Sequence, residues 1–161
     1  MQNQFRKTGL IAIPLVVSLD QLSKHMIINA LHLPDVITVT SFFDFLLTYN
    51  RGVSFGLFPA DGILGKVILL SLACVLVLWL LFCLWKSPSK LESISYGLII
   101  GGAVGNIIDR LYCGAVIDFL HFHYNNYSFP IFNIADSAIT IGVGLILLQQ
   151  AWHFVKNKQV T

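Results

Sequence analysis

Four carboxylates stand out in this chain because their surroundings are so apolar. The 161 residues include eight acids, and Asp20, Asp109, Asp118 and Asp136 lie within or beside long hydrophobic runs. A charge near the centre of a bilayer costs at least ~2.5–3.5 kcal/mol, so acids persist there when they are paired or functional. Asp118 is the hardest to explain structurally. It sits in Val116-Ile117-Asp118-Phe119-Leu120 with no cation adjacent in sequence, so it must find a partner or hold its proton through desolvation. Asp136 follows Asn133 at the spacing of an N-cap and its N3 acid, a capping role sufficient by itself. If the two carboxyls share one poorly hydrated site, they cannot both ionise and must share a proton. The ionised member can then activate water while the neutral one polarises a carbonyl, the chemistry of an aspartic protease.

The remaining polar residues have structural and functional readings. Asp20 and Lys24 share a helix face at i,i+4, acid first, and either neutralise each other or contact a substrate. Asn106, Asp109 and Arg110 end another apolar run, with Asp109 and Arg110 open to a structural pairing. Ser23 and Lys24 are neighbours on one helix, about 100° apart, and form no serine–lysine dyad. His121-Phe122-His123 offers two metal ligands at most and there is no HExxH spacing, so no metal and no cofactor are expected. Cys74, Cys83 and Cys113 read as small packing residues, with neither a disulfide framework nor a zinc spacing. No basic run is dense enough for nucleic acid, and no phosphate loop is present.

Positioning these groups falls to membrane helices. The chain is 56% hydrophobic and 11% charged, too apolar for a soluble domain of its size. A span needs ~20 apolar residues, and the segments near 8–30, 63–84, 93–111 and 134–155 qualify. The expected fold is an all-α membrane protein: one integral-membrane domain over 1–161 with four transmembrane helices. Arg6 and Lys7 before the apolar run from Gly9 to Leu19 resemble a signal peptide. However, Asp20 to Lys24 occupy the place of a small-residue cleavage site, so the run is read as a retained first span. The link from Trp85 to Glu92 is short, whereas the segments near 31–62 and 112–133 are long and must share one side. Arg6, Lys7, Lys86, Lys90, Lys156 and Lys158 fall on the opposite side from Lys24, Arg51, Lys66 and Arg110. That bias puts both termini in the cytoplasm and the acids at the external face.

Within the first long segment, Val36 to Val39 are β-branched and apolar, and Phe42 to Tyr49 are aromatic and aliphatic. Asn50-Arg51-Gly52 supplies turn chemistry before the apolar pattern resumes at Val53-Ser54-Phe55. A small extracytoplasmic β-hairpin or sheet between helices 1 and 2 is expected, with Phe42, Phe43, Phe45, Phe55 and Phe58 at the membrane surface. Gly97, Gly101 and Gly105 recur every fourth residue, which lets another helix approach closely. A small proton- or cation-coupled transporter is the alternative. It predicts acids spread through the membrane thickness, whereas here they gather at one edge.

Five blocks in order resemble the bacterial lipoprotein signal peptidases (signal peptidase II). They are Asp20-Gln21-Leu22-Ser23-Lys24, Tyr49 to Gly56 with its N-x-G-x-x-F pattern, and Gly101 to Arg110, which matches G-G-A-x-G-N-x-x-D-R. Val116-Ile117-Asp118-Phe119 and Phe129 to Asp136 complete the set. The resemblance implies that Asp118 and Asp136 are the catalytic pair. It also implies that Asp20, Lys24, Asn50, Gly52, Asn106, Asp109, Arg110 and Asn133 line or brace the site. Ser54 stands where many members carry alanine, a change confined to local packing. The implied protein is a monomeric inner-membrane aspartic endopeptidase among membrane lipids. Its implied substrate is a diacylglyceryl-modified prolipoprotein, cut just before the lipid-bearing cysteine.

Overall fold

In the computed structural model, which describes residues 2–52 and 62–158, four long helices are bundled beneath a small antiparallel sheet. The helices are α1 (Gln2–Ala30), α2 (Ile63–Lys86), α3 (Lys90–Tyr112) and α4 (Ile134–Lys158), each long and apolar enough to cross a membrane. All four continue past the expected ends. Polar residues at a membrane interface prolong a helix without meeting the apolar criterion, as Gln4 to Lys7 do at the start of α1. At the short link, Ser89 caps α3 by accepting the Glu92 N–H at 3.1 Å, so α3 starts three residues early.

The third helix is the centre of the bundle, packing on α1, α2 and α4. Its glycines make this possible. A side chain at Gly97 would run into Gly9 and Ala12 of α1, and one at Gly101 into Val16. Gly102 lies against the Ala135 carbonyl of α4, so the close approach extends to a second helix. The apolar core between α2 and α3 is built from Leu80, Leu84, Ile99 and Ile100. The outer face of α2 exposes Leu72, Val75, Leu76 and Trp79, the pattern of a helix that faces lipid. Cys74 and Cys113 are also exposed instead of packed inside, and all three cysteines are free.

The sheet differs from the expected one. Its strands are β1 (Val36–Thr40), β2 (Phe43–Asn50), β3 (Val116–Tyr124) and β4 (Tyr127–Ser128), in the order β1-β2-β3-β4. Half of it therefore comes from the second long segment. The pairing of β2 with β3 joins residues some seventy positions apart, such as Thr48 with Asp118, and local patterning carries no trace of it. Thr40 and Phe43 pair at the β1–β2 hairpin, while Asn50 to Gly52 lead away from the end of β2. Val36, Ile37, Val39 and Phe42 are exposed at the outer edge. Residues 53–61, including Ser54, Phe55 and Phe58, lie outside the described residues.

Candidate active site

Three elements converge where the sheet meets the bundle. Phe132 completes a short bridge to β3: its carbonyl accepts the N–H groups of Phe119 and Leu120 at 3.0 and 2.8 Å, and its own N–H reaches Leu120 O at 3.1 Å. This clamp sets Asn133 beside Asp118 at the moment the chain turns into α4. Asn133 then serves two functions. Its Oδ1 accepts the Asp136 N–H at 2.8 Å, capping α4, and its Nδ2 donates to Asp118 Oδ1 at 2.7 Å. The expected cap is present, and it also binds the other acid.

Asn106 of α3 completes the connection. Its Nδ2 donates to Asp136 Oδ1 at 2.9 Å, and its Oδ1 accepts from Asn133 Nδ2 at 3.2 Å. Two carboxamides thus link the two carboxyls. Asn50, at the end of β2, donates to the other oxygen of Asp118 at 3.1 Å and accepts the Gly52 N–H at 3.1 Å. Arg110 donates to the carbonyls of Gly52 and Asn106, at 3.2 and 3.4 Å, and fastens the end of this segment to α3. Burial, and after it the charge of Asp136, pushes the Asp118 carboxyl up to about 6, against the opposing pull of the Asn50 and Asn133 amides and of Lys24.

Beneath the carboxyl pair lies a buried ionic cluster. Lys24 Nζ lies 2.7 Å from Asp20 Oδ2, 2.6 Å from Asp109 Oδ2 and 3.2 Å from Asn106 Oδ1. Asp109 therefore pairs with Lys24 and not with Arg110, because neighbours on a helix point about 100° apart. Asp20 and Asn133 are 0% exposed, Lys24 1%, and Asp109 and Asp118 2%. Such burial is tolerable because each oxygen of Asp20, Asp109 and Asp118 has at least one donor. Asp20 Oδ1 accepts the Ala135 N–H at 2.9 Å, and Asp109 Oδ2 accepts the Ile117 N–H at 3.2 Å. Each acid of the cluster holds the peptide immediately before one member of the carboxyl pair. Gln21 donates to Asp109 at 2.9 Å, to Asp20 at 3.2 Å and to the Gly105 carbonyl at 3.3 Å. Sequence reasoning assigned Gln21 no role in the site, although it lies inside the first family block between Asp20 and Lys24.

All ten expected site residues belong to this one network. It opens on a cleft of about 470 Å³ lined by Asn50 and Asp136 at its polar end and by Phe129, Phe132, Ile139 and Ile141 along its apolar wall. Asp136 borders this cleft and Asp118 lies buried behind it, joined through Asn133 and Asn106, so a carboxyl pair stands beside an apolar cleft where acid–base hydrolysis can occur.

The chain resembles known proteins in both sequence and fold. A family model described as signal peptidase (SPase) II matches residues 12–152. A lipoprotein signal peptidase of Azoarcus sp. (strain BH72) is 44% identical over 136 residues, covering 84% of this chain and 77% of that one. Its counterpart in Rickettsia africae (strain ESF-5) is 43% identical over 155 residues, covering 95% and 76%. Among solved structures, a bacterial membrane enzyme superposes with a TM-score of 0.81 at 29% identity, over 90% of this chain and 88% of that one.

Proposed function

Because the chain belongs to the signal peptidase II family, we propose that Asp118 and Asp136 are its catalytic dyad and that the network around them exists to hold one proton between two carboxyls. The protein is a lipoprotein signal peptidase, a multi-pass membrane protease of the bacterial inner membrane. The transporter alternative draws no support from the relatives.

The observation that carries the assignment is the double carboxamide bridge, Asp118–Asn133–Asn106–Asp136. In the hydrolytic cycle the ionised aspartate takes a proton from water, and the resulting hydroxide adds to the scissile carbonyl. The protonated aspartate hydrogen-bonds the carbonyl oxygen as the tetrahedral intermediate forms. Proton return to the amide nitrogen breaks the C–N bond, releasing a free carboxylate on the signal peptide and the amine of the lipid-bearing cysteine. The coupled pair titrates as a unit, so the shared proton belongs to the dyad and not to one residue.

The apolar wall of the cleft suits a prolipoprotein whose diacylglyceryl group stays in the bilayer while the scissile bond reaches the dyad. Asn50 borders the approach, and Arg110 holds the segment that follows it in place through the Gly52 carbonyl. Arg6, Lys7, Lys86, Lys90, Lys156 and Lys158 occupy the helix ends remote from the sheet. There Arg6 lies over the Trp85 ring at 4.7 Å, an interfacial pairing of cation and aromatic. This end is the cytoplasmic one, with both termini, and the dyad works at the external face. Among the described residues, one chain supplies both aspartates and the amides that hold them, which supports a monomeric enzyme.

The test is cleavage of a lipid-modified prolipoprotein in detergent by Asp118→Asn and Asp136→Asn. Each variant should fold and lose at least ~10³-fold in turnover. Near-parental turnover by either overturns the assignment.

A further inference from the structure

The sheet carries a second convergence of donor atoms, apart from the dyad. Asp44 of β2 stands directly across from His121 of β3, and His123 follows two residues on, which puts both imidazoles on the same face of the strand. Asp44 Oδ2 lies 2.8 Å from His123 Nε2 and 3.6 Å from His121 Nδ1, and the three donor atoms all fall within 4.8 Å of one another. None of Asp44 Oδ1, His121 Nδ1 or His123 Nε2 completes a hydrogen bond, although all three are buried.

We propose that Asp44, His121 and His123 form a binding site for a late first-row divalent metal ion, for which zinc is the natural probe. Zinc bonds of ~2.0–2.2 Å in a tetrahedral set place ligand atoms about 3.4 Å apart, and the Asp44 oxygen already stands 2.8 and 3.6 Å from the two imidazole nitrogens. The outer partners are right as well. His121 Nε2 lies 2.7 Å from Ser128 Oγ, which orients the ring with Nδ1 toward Asp44, the arrangement that fixes a ligating imidazole. An ion pair alone accounts for the cluster less well. The two rings stack at 5.2 Å, and a nitrogen of each is buried beside one carboxylate without completing a hydrogen bond. A metal takes both imidazoles neutral. Two nitrogens and one oxygen favour zinc and its late neighbours over magnesium or calcium. Three protein ligands leave a position for water, and His123 and Ser128 border an open cleft of about 510 Å³ through which ion and water can enter.

The ion would pin β2 to β3. His121 is three residues along β3 from Asp118, an odd spacing that directs the two side chains to opposite faces of the strand. The role is therefore to stiffen the strand that carries a dyad member, with no part in the bond cleavage.

The test uses the full chain, purified in detergent on a tag free of histidine and stripped with a chelator. Zinc is titrated against a chromophoric chelator, and cobalt(II) is followed by its visible absorption. One equivalent of zinc should bind, raising the unfolding midpoint, and cobalt should give the spectrum of a four-coordinate site. His123→Ala and Asp44→Ala should lose both signals while still cleaving prolipoprotein, which shows that they fold. Ser128→Ala should weaken binding ~10–100-fold. Absence of stoichiometric zinc in the parent, or equal affinity in His123→Ala, overturns the site. Stripping the ion should leave cleavage in place, so this outcome is separate from any failure of the dyad.

Discussion

Asp20 takes the backbone N–H of Ala135 on one carboxylate oxygen, 2.9 Å away, and so fixes the peptide that immediately precedes Asp136. Asp109 holds Ile117, the residue before Asp118, in the same way. Lys24 lies between these two acids, and its single charge ties α1, α3, β3 and the start of α4 into one frame. The proposed dyad is thus placed by main-chain contacts from a buried ionic cluster.

Removing that charge tests the frame. Lys24→Met leaves Asp20 and Asp109 buried without their cation, and loss of one partner from a buried ion pair costs about 3–5 kcal/mol. The thermal unfolding midpoint in detergent should fall sharply, with activity falling alongside it. A midpoint within error of the parent would show that the cluster does not hold the fold together.

Asn133 separates stability from chemistry. Asn133→Ser keeps a hydroxyl that can cap α4 but loses the amide that donates to Asp118. Stability should hold within ~1 kcal/mol while turnover drops at least ~100-fold. Asn133→Ala should lose both. Parental turnover in the serine variant would remove the carboxamide bridge from the mechanism.

Much of this was legible from residue types and spacing, for a physical reason. Bilayer thickness dictates the length of an apolar run, so the four spans stand out from their polar links. The polar residues at one end of the spans are too costly to be incidental, so the site residues stood out as well. What local sequence cannot carry is pairing across distance. The union of β2 with β3 and the choice of Lys24 over Arg110 as the partner of Asp109 are of this kind. So is Asp44, which comes from another strand to face the His-Phe-His stretch. Cys74 faces outward from a membrane helix for a related reason, since lipid accepts an apolar thiol as readily as a protein core does.

Two glycines should respond in opposite ways. A side chain at Gly102 would collide with the Ala135 carbonyl, next to Asp136, whereas Gly144 has open space around it. Gly102→Ala should cost about 1–3 kcal/mol through overpacking and lower turnover by shifting α4. Gly144→Ala should leave activity unchanged and add ~0.5–1 kcal/mol of helix stability. Equal behaviour of the two variants would mean that the contact between α3 and α4 does not position the dyad.

A proton shared by the proposed dyad predicts a pH dependence. With the Asp118 carboxyl pushed up to about 6, the free enzyme keeps its shared proton below that pH and loses it as pH rises through it. The doubly ionised pair has no proton to offer the carbonyl oxygen. The kcat/KM profile should therefore fall on the alkaline side by up to ~tenfold per pH unit, with kcat falling at higher pH once substrate excludes water. A kcat/KM that climbs steadily through this range contradicts the assignment.

The most direct measurement is a cycle of Asp118→Asn, Asp136→Asn and the double variant, each assayed for single-turnover cleavage of a lipid-modified prolipoprotein. Two carboxyls that act as one proton-holding unit should give losses that do not add: each single variant falls to the floor of the assay, and the double falls no further. Losses that multiply, or a single variant that retains substantial turnover, would show that Asp118 and Asp136 do not work as a pair.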